Sequence, residues 1–305
     1  MKDLIVVTGG AGFVGTNLIE YFVIYTKFKI ISIDNYSSGS LKNHINNSRV
    51  KYINSHTRNI FKILIKKNKK INAIFHFGEF ARIYQSFLNI KECMESNSLG
   101  SFEVFRFCLK YKIKLIYSAT SASLGNKGND KNLSPYAFFK SNNLEFLENL
   151  KRWFGLKYET IYFYNVYGPR QISKGKMATV IGIFEDHYKK NKNLPIVRPG
   201  TQTRKFTHIN DTIKVCIEAW RQNKCRHYSI SNKESYSIIQ VAQMFGKKTK
   251  FFPKRQGERY FSSSSRVNFS TKIIKRYGKI SLKNYIRSIK NSLNLKYRKN
   301  GIKLK

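Results

Sequence analysis

Leu4 to Phe22 reads LIVVTGGAGFVGTNLIEYF, and this stretch decides the fold. Leu4-Ile5-Val6-Val7 is a short apolar run rich in β-branched side chains, as expected of a strand buried on both faces of a parallel sheet. It breaks at Thr8-Gly9-Gly10-Ala11-Gly12, and an apolar pattern at helical spacing follows through Phe13, Leu18, Ile19 and Phe22. The glycines at 9, 10, 12 and 15 satisfy both G-x-G-x-x-G and G-x-x-G-x-x-G. A strand that turns at once into a helix needs glycine for the turn. It also needs bare backbone where a pyrophosphate approaches the positive helix end. Ile30-Ile31-Ser32-Ile33 is a second strand ending in Asp34, about 20 residues on, where a carboxylate holds adenosine ribose hydroxyls. A plain βα turn would account for the glycines but not for strand, helix and terminal Asp together. A dinucleotide site is therefore expected from Gly9, Gly12, Phe13, Val14, Gly15, Asp34 and Asn35. NAD is expected rather than NADP, because Asp34 would repel a 2′-phosphate and no Arg follows it directly.

Composition narrows the rest. A chain of 305 residues, 41% of them apolar, is long enough for one large or two modest domains with a real core. No apolar run approaches the ~18 residues of a membrane helix, and the glycine loop begins so near Met1 that a signal peptide is not expected. Cys93, Cys108, Cys216 and Cys225 show no C-x-x-C or zinc spacing, so reduced thiols, a cytoplasmic location and no metal are expected. The net charge of +40 suggests nucleic acid. However, Lys is spread over the whole chain together with Asn, Ile, Phe and Tyr, all of which have A/T-rich codons, so base bias explains it. Nucleic acid is not expected as a partner, whereas a cofactor and a substrate that both carry diphosphates would suit a positive field.

Further strands are expected at about 49–53, 71–77 and 115–118, and helices at about 60–70, 89–110 and from Ser134-Pro135 onward. His56 stands where related folds carry an adenine-contacting Asp. Phe77-Gly78 follows a buried strand, which fits close approach to a cofactor. Glu79 and Arg82 are expected to pair with each other. Asn97 is either a buried helix-bonding residue or one that helps position the active site. Tyr136 and Lys140, spaced i, i+4, share a helix face. In isolation they read as surface residues. Their place after Thr120, at the carboxyl edge of the same sheet, points instead to the ligand crevice.

A glycine-rich G-x-x-G-x-x-G, a Thr at the end of strand five and Y-x-x-x-K resemble the extended short-chain dehydrogenase/reductases, the group of sugar-nucleotide epimerases and dehydratases. The segments Tyr162–Arg170, Gly200–Asp211 (G-x-Q-x-R-x-F-x-H-I-x-D) and Pro253–Arg259 (R-x-G-E) are similar to segments of that family, so the resemblance covers nearly the whole chain. It implies an α/β fold, a Rossmann-like doubly wound parallel sheet with a smaller C-terminal substrate-binding lobe. Residues 1–165 would bind NAD and 166–305 would mainly form the lobe, with segments such as Tyr228-Ser229-Ile230 returning to the first sheet. It further implies that Asn165, Arg204 and Arg255 hold a diphosphate and Glu258 a ribose hydroxyl. Phe77, Gly78, Asn97, Tyr136 and Lys140 would line the cofactor, and the enzyme would be a homodimer through the helices at about 90–110 and 137–153.

The implied reaction is epimerisation: Tyr136 takes a proton from a sugar hydroxyl, Lys140 favours the phenolate, and Thr120 holds the hydroxyl in line. Hydride leaves for NAD, the keto-sugar rotates, and hydride returns to the other face. A UDP-glucose 4-epimerase type of activity is expected on the frequency of that activity in the group. Lys174–Val180 (KGKMATV) is similar to a segment of ADP-heptose 6-epimerases whose first Lys lies at the second catalytic position, which makes Lys174 a substrate-binding residue and a candidate second acid/base. A 4,6-dehydratase is the other alternative, although dehydratases typically place Asp-Glu where Ser121-Ala122 stand. A non-catalytic NAD- or nucleic-acid-binding protein would not need Thr120, Tyr136 and Lys140 together.

Overall fold

The computed structural model describes residues 2–124, 132–257 and 273–299. Eight strands form one parallel sheet: β1 (Leu4–Thr8), β2 (Lys29–Asp34), β3 (Val50–Asn54), β4 (Ile71–His76), β5 (Lys114–Thr120), β6 (Tyr158–Phe163), β7 (His227–Ser231) and β8 (Ile273–Tyr277). Their spatial order is β3-β2-β1-β4-β5-β6-β7-β8. The order reverses between β1 and β4, so a crevice opens there at the carboxyl ends of the strands.

β1 is buried along its whole length, with Ile5, Val6 and Val7 wholly inaccessible. Burying each such side chain is worth about 1.5–3 kcal/mol. Side chains that alternate along the strand serve two different layers. On one face Val6, Ile74, Leu115 and Tyr117 pack with helices α2 (Ser101–Lys110) and α3 (Pro135–Phe154) through Val104, Phe105, Leu144 and Leu147. On the other, Ile5, Val7, Phe75, Ile116 and Ile161 pack with α1 (Phe13–Tyr25) and α4 (Ile209–Arg221).

The helix expected over 89–110 is a helix at Ile90–Met94, a π-helical turn at Glu95–Gly100 and then α2. The basic helix expected over 60–70 is α-helical only through Leu64, then 3₁₀ to Lys70. Beyond 165 the chain divides its residues between two places. α4, β7 and β8 join the large sheet, whereas helices Val180–Lys189, Ile238–Phe245 and Leu282–Lys299 build a smaller lobe. That lobe has its own core of Tyr167, Phe184, Leu194, Phe206, Tyr236, Phe245 and Ile286. All four cysteines are free. Among the described residues no helix is long and apolar enough to cross a membrane, and no cluster of His, Cys, Asp and Glu could hold a metal ion.

Candidate active site

The glycine-rich turn is close-packed against the next strand end. Gly9 has φ +69°, and a Cβ there would come within 2.8 Å of the Phe77 and Gly78 backbone. A Cβ on Gly15 would lie 2.2 Å from the Gly9 carbonyl oxygen. α1 then begins with Gly12 as its N-cap, with no side chain capping it and no acidic residue in its first turn. Its first amides and the positive dipole end are left for an anion. Phe13 and Val14 form that first turn and pack half-buried on the core.

Asp34 ends β2 and is 7% exposed. Its Oδ2 accepts from the Ala11 amide at 2.9 Å and its Oδ1 from the Tyr36 amide at 2.8 Å, while burial pushes its pKa up. A hollow lined by Gly9, Ile33, Asp34, Asn35, Ser55, His56, Thr57, Gly78 and Ser96 lies beside it. These residues fit the adenosine half of NAD: bare amides for the pyrophosphate, and a carboxylate with lone pairs left for the ribose. His56 is part of the hollow wall, and its ring accepts from the Arg58 amide at 3.1 Å. Asn35 is exposed, with its side chain turned to the Ser37 amide.

Across the crevice, Ser134 caps α3 by accepting from the Ala137 amide at 3.1 Å, and Pro135 takes the first helical position. This start turns Tyr136 (9% exposed) and Lys140 (3%) inward, so the pair is not a surface pair. Burial pushes the Tyr136 phenol up to about 12, opposed by the nearby Thr120 hydroxyl and the Arg82 charge. Lys140 donates to the Ser118 carbonyl and to Glu79, and its Nζ lies 4.7 Å from the centre of the Tyr117 ring.

One expectation gives way here. Glu79 does not pair with Arg82. The carboxylate turns under the sheet edge to Lys140, whereas Arg82 swings toward the lobe and its Nε donates to the Met177 carbonyl at 2.9 Å. Asn97 sits in the π-helical turn with both amide atoms taken by the Phe80 backbone, accepting from its N–H at 2.6 Å and donating to its carbonyl at 2.9 Å. Asn97 thus holds the chain that follows Gly78, and any effect on a cofactor passes through that loop.

The residues expected at the substrate end lie on or beside the smaller lobe. Asn165, at φ +31°, donates to the Lys205 carbonyl at 2.9 Å, which ties it to the Arg204 segment. Arg204 is half-buried and donates to the Thr203 carbonyl. The Arg255 guanidinium stands 5.3 Å over the Tyr84 ring, and Gly257 is pressed against Ile83 and Phe87. Lys174 is 70% exposed, with Asp186 at 4.0 Å. Glu258 lies outside the described residues. Motif reading missed Glu79, Arg82 and Met177 as parts of one site. A carboxylate immediately after the strand-end glycine was the only signal for Glu79.

The chain is similar to known proteins over most of its length. Residues 5–231 match the model of the NAD dependent epimerase/dehydratase family. A Methanocaldococcus jannaschii protein provisionally named UDP-glucose 4-epimerase is 30% identical over 274 residues, covering 84% of this chain and 88% of its own. The ADP-L-glycero-D-manno-heptose-6-epimerase of Brachyspira hyodysenteriae is 29% identical over 255 residues, 79% of each chain. The Thermotoga maritima UDP-glucose 4-epimerase crystallised with UDP-glucose superposes with a TM-score of 0.83 at 22% identity, over 96% of this chain and 99% of that one. The Thermus thermophilus UDP-glucose 4-epimerase in complex with NAD gives 0.81 at 20%, over 95% and 99%. The last two identities speak for the fold. The family match, which runs from the first strand through β7, shows the family: this chain is an NAD-dependent enzyme and belongs to the epimerase/dehydratase family that acts on nucleotide sugars.

Proposed function

We propose that the protein is a nucleotide-sugar 4-epimerase of the UDP-glucose type, working as a homodimer in the cytoplasm. The observation that carries the reading is the buried Tyr136 beside Thr120 at the carboxyl edge of β5, with Ser121 and Ala122 next in the chain. NAD, when bound, takes hydride from the sugar carbon and gives it back. Tyr136 accepts the hydroxyl proton in the first half and returns it in the second. The positive charge of Arg82 works against the burial that makes its phenolate costly. Thr120 bonds the same hydroxyl and fixes its direction. Arg204 and Arg255 offer guanidinium forks to the diphosphate, with Asn165 beside the Arg204 strand.

Dehydration needs a base for the C5 proton and an acid for the departing hydroxyl. Ser121 and Ala122 provide neither, and the nearby carboxylate, Glu79, is committed to Lys140. The heptose-epimerase reading draws on the KGKMATV segment, which the Arg82–Met177 bond ties to the residues after β4. Lys174 itself stands in solvent beside Asp186, which favours a role at the rim over one as a second base. The dimer reading rests on exposed Met94, Leu99, Phe102 and Phe138 along the two helices of that face.

The test is incubation with NAD and UDP-glucose. Formation of UDP-galactose is expected, with mass and sugar configuration read by mass spectrometry and NMR. Loss of water, with deuterium gained at C5 in deuterated solvent, would overturn the reading in favour of a dehydratase. Light scattering at micromolar concentration should give twice the chain mass, and a monomer would remove the dimer.

A further inference from the structure

We propose that Glu79 is a positioning residue for this site: its buried carboxylate holds Lys140 in place and charged, and so sets the pH range in which Tyr136 acts. The proposal rests on the reading of Tyr136 and Lys140 as the acid–base pair.

The Glu79 side chain is 2% exposed and that of Lys140 is 4%. One carboxylate oxygen, Oε2, accepts from Lys140. The other, Oε1, accepts from Ser101 Oγ at 2.9 Å, Tyr117 Oη at 3.1 Å and Asn143 Nδ2 at 3.2 Å. A chain of hydrogen bonds behind Ser101 fixes the polarity of the cluster. The amides of Phe77 and Gly78 donate to Thr8 Oγ1 at 3.2 and 3.0 Å, so the Thr8 hydroxyl proton points to His76 Nδ1, 2.7 Å away. His76 Nε2 then carries its proton toward Ser101 Oγ at 3.0 Å, and Ser101 gives its own to Glu79. Every donor in the line points to the same carboxylate, which is the arrangement of an ionised acid. The line begins at the backbone that presses on Gly9 and ends at Lys140, so the dinucleotide turn and the catalytic lysine share one network.

The other titratable groups around Lys140 are neutral. Burial holds His76, on β4, down at about 4. It pushes Cys93, on the helix preceding the π turn, up to about 12, and Tyr117, on β5, well above its ordinary value. Tyr136 shares α3 with Lys140, and the Arg82 cation faces Tyr136 rather than Lys140. Glu79 is therefore the counter-charge. Burial favours loss of the Lys140 proton, and the charge and hydrogen bond of Glu79 oppose it. The same carboxylate raises the Tyr136 phenol.

Glu79→Gln keeps the shape and removes the charge. Lys140 should then lose its proton at lower pH, and Tyr136 should ionise at lower pH. Both limbs of the pH profile of kcat/KM should move toward acid by about one unit or more, with kcat reduced and KM little changed. In cofactor-free protein, the phenolate absorbance difference between Glu79→Gln and Glu79→Gln/Tyr136→Phe should begin to rise at lower pH than the difference between the parent and Tyr136→Phe. A parental pH profile together with a parental Tyr136 titration would overturn the proposal. Glu79→Asp keeps the charge but draws it back from Lys140, so it should shift the profile the same way by less. If Glu79→Gln does not fold, an unmoved profile in Glu79→Asp overturns the proposal instead. If Tyr136→Phe turns over at the parental rate, the acid–base reading has failed, and the absorbance titration still decides whether Glu79 governs Tyr136. If Tyr136→Phe is dead and Glu79→Gln keeps the parental profile, only the role of Glu79 has failed.

Discussion

Around Gly9 and Gly15 the close contacts are backbone against backbone: the Gly78 amide, the Phe77 carbonyl carbon, the Gly9 oxygen. Around the Lys140–Glu79 pair they are mostly side chain against side chain: Glu79 meets Lys140 and Asn143 of one helix, Ser101 of another and Tyr117 of β5. The first region has nothing that can repack, so its tolerance is set by sterics. The second is a set of charges and donors that can be altered in pairs, so its tolerance is set by electrostatic balance. Backbone sets the tolerance of one region and side chains that of the other.

The largest expected effect is at the chemical end. Tyr136→Phe should lower kcat about a thousandfold and leave NAD bound, because only the transferable proton is lost; turnover assays and a binding titration check both halves. Lys140→Met should follow, costing about 3–5 kcal/mol in denaturant unfolding, because it strands the buried Glu79 charge. Glu79→Gln/Lys140→Met should recover part of that loss. Additive costs would mean that the two side chains do not act as a pair. At the dinucleotide end, Gly15→Ala should cost about 1–3 kcal/mol together with NAD affinity, measured by unfolding and calorimetry, and no second substitution should rescue it. A rescue would break the contrast between the regions. The smallest effect is at Asp34→Asn, which should narrow the preference for NAD over NADP by about tenfold in binding titrations.

The same contrast explains what was legible in the chain. A glycine that must be bare, a strand that must be apolar and a helix that needs a cap leave local marks. LIVVTGG and the Ser134-Pro135 start could therefore be read directly. The partner of Glu79 could not. Arg82 is three residues away and Lys140 sixty-one, and local spacing favoured the nearer cation. Which one the carboxylate meets depends on the direction in which the chain leaves β4, and that is set by Asn97 clasping Phe80 from a different helix. Asn97 was legible as a buried polar residue within a helix, but its partner was not.

One packing feature bears on how the chain is made. The six strands that the first 165 residues contribute are finished by Phe163, but the layer over Ile5, Val7, Phe75, Ile116 and Ile161 is shared between α1 and α4. Ile209, Ile213, Cys216 and Ile217 of α4 fill it, Lys114 reaches the Ala219 carbonyl at 2.9 Å, and Trp220 donates to Asn72 at 2.9 Å. During synthesis the nascent sheet therefore waits with part of one oily face, beside α1, uncovered until Arg221 has cleared the ribosome, and β7 and β8 are added after that. A fragment released at 165 should be captured by chaperones rather than fold, and the cell meets this protein first as a half-covered sheet.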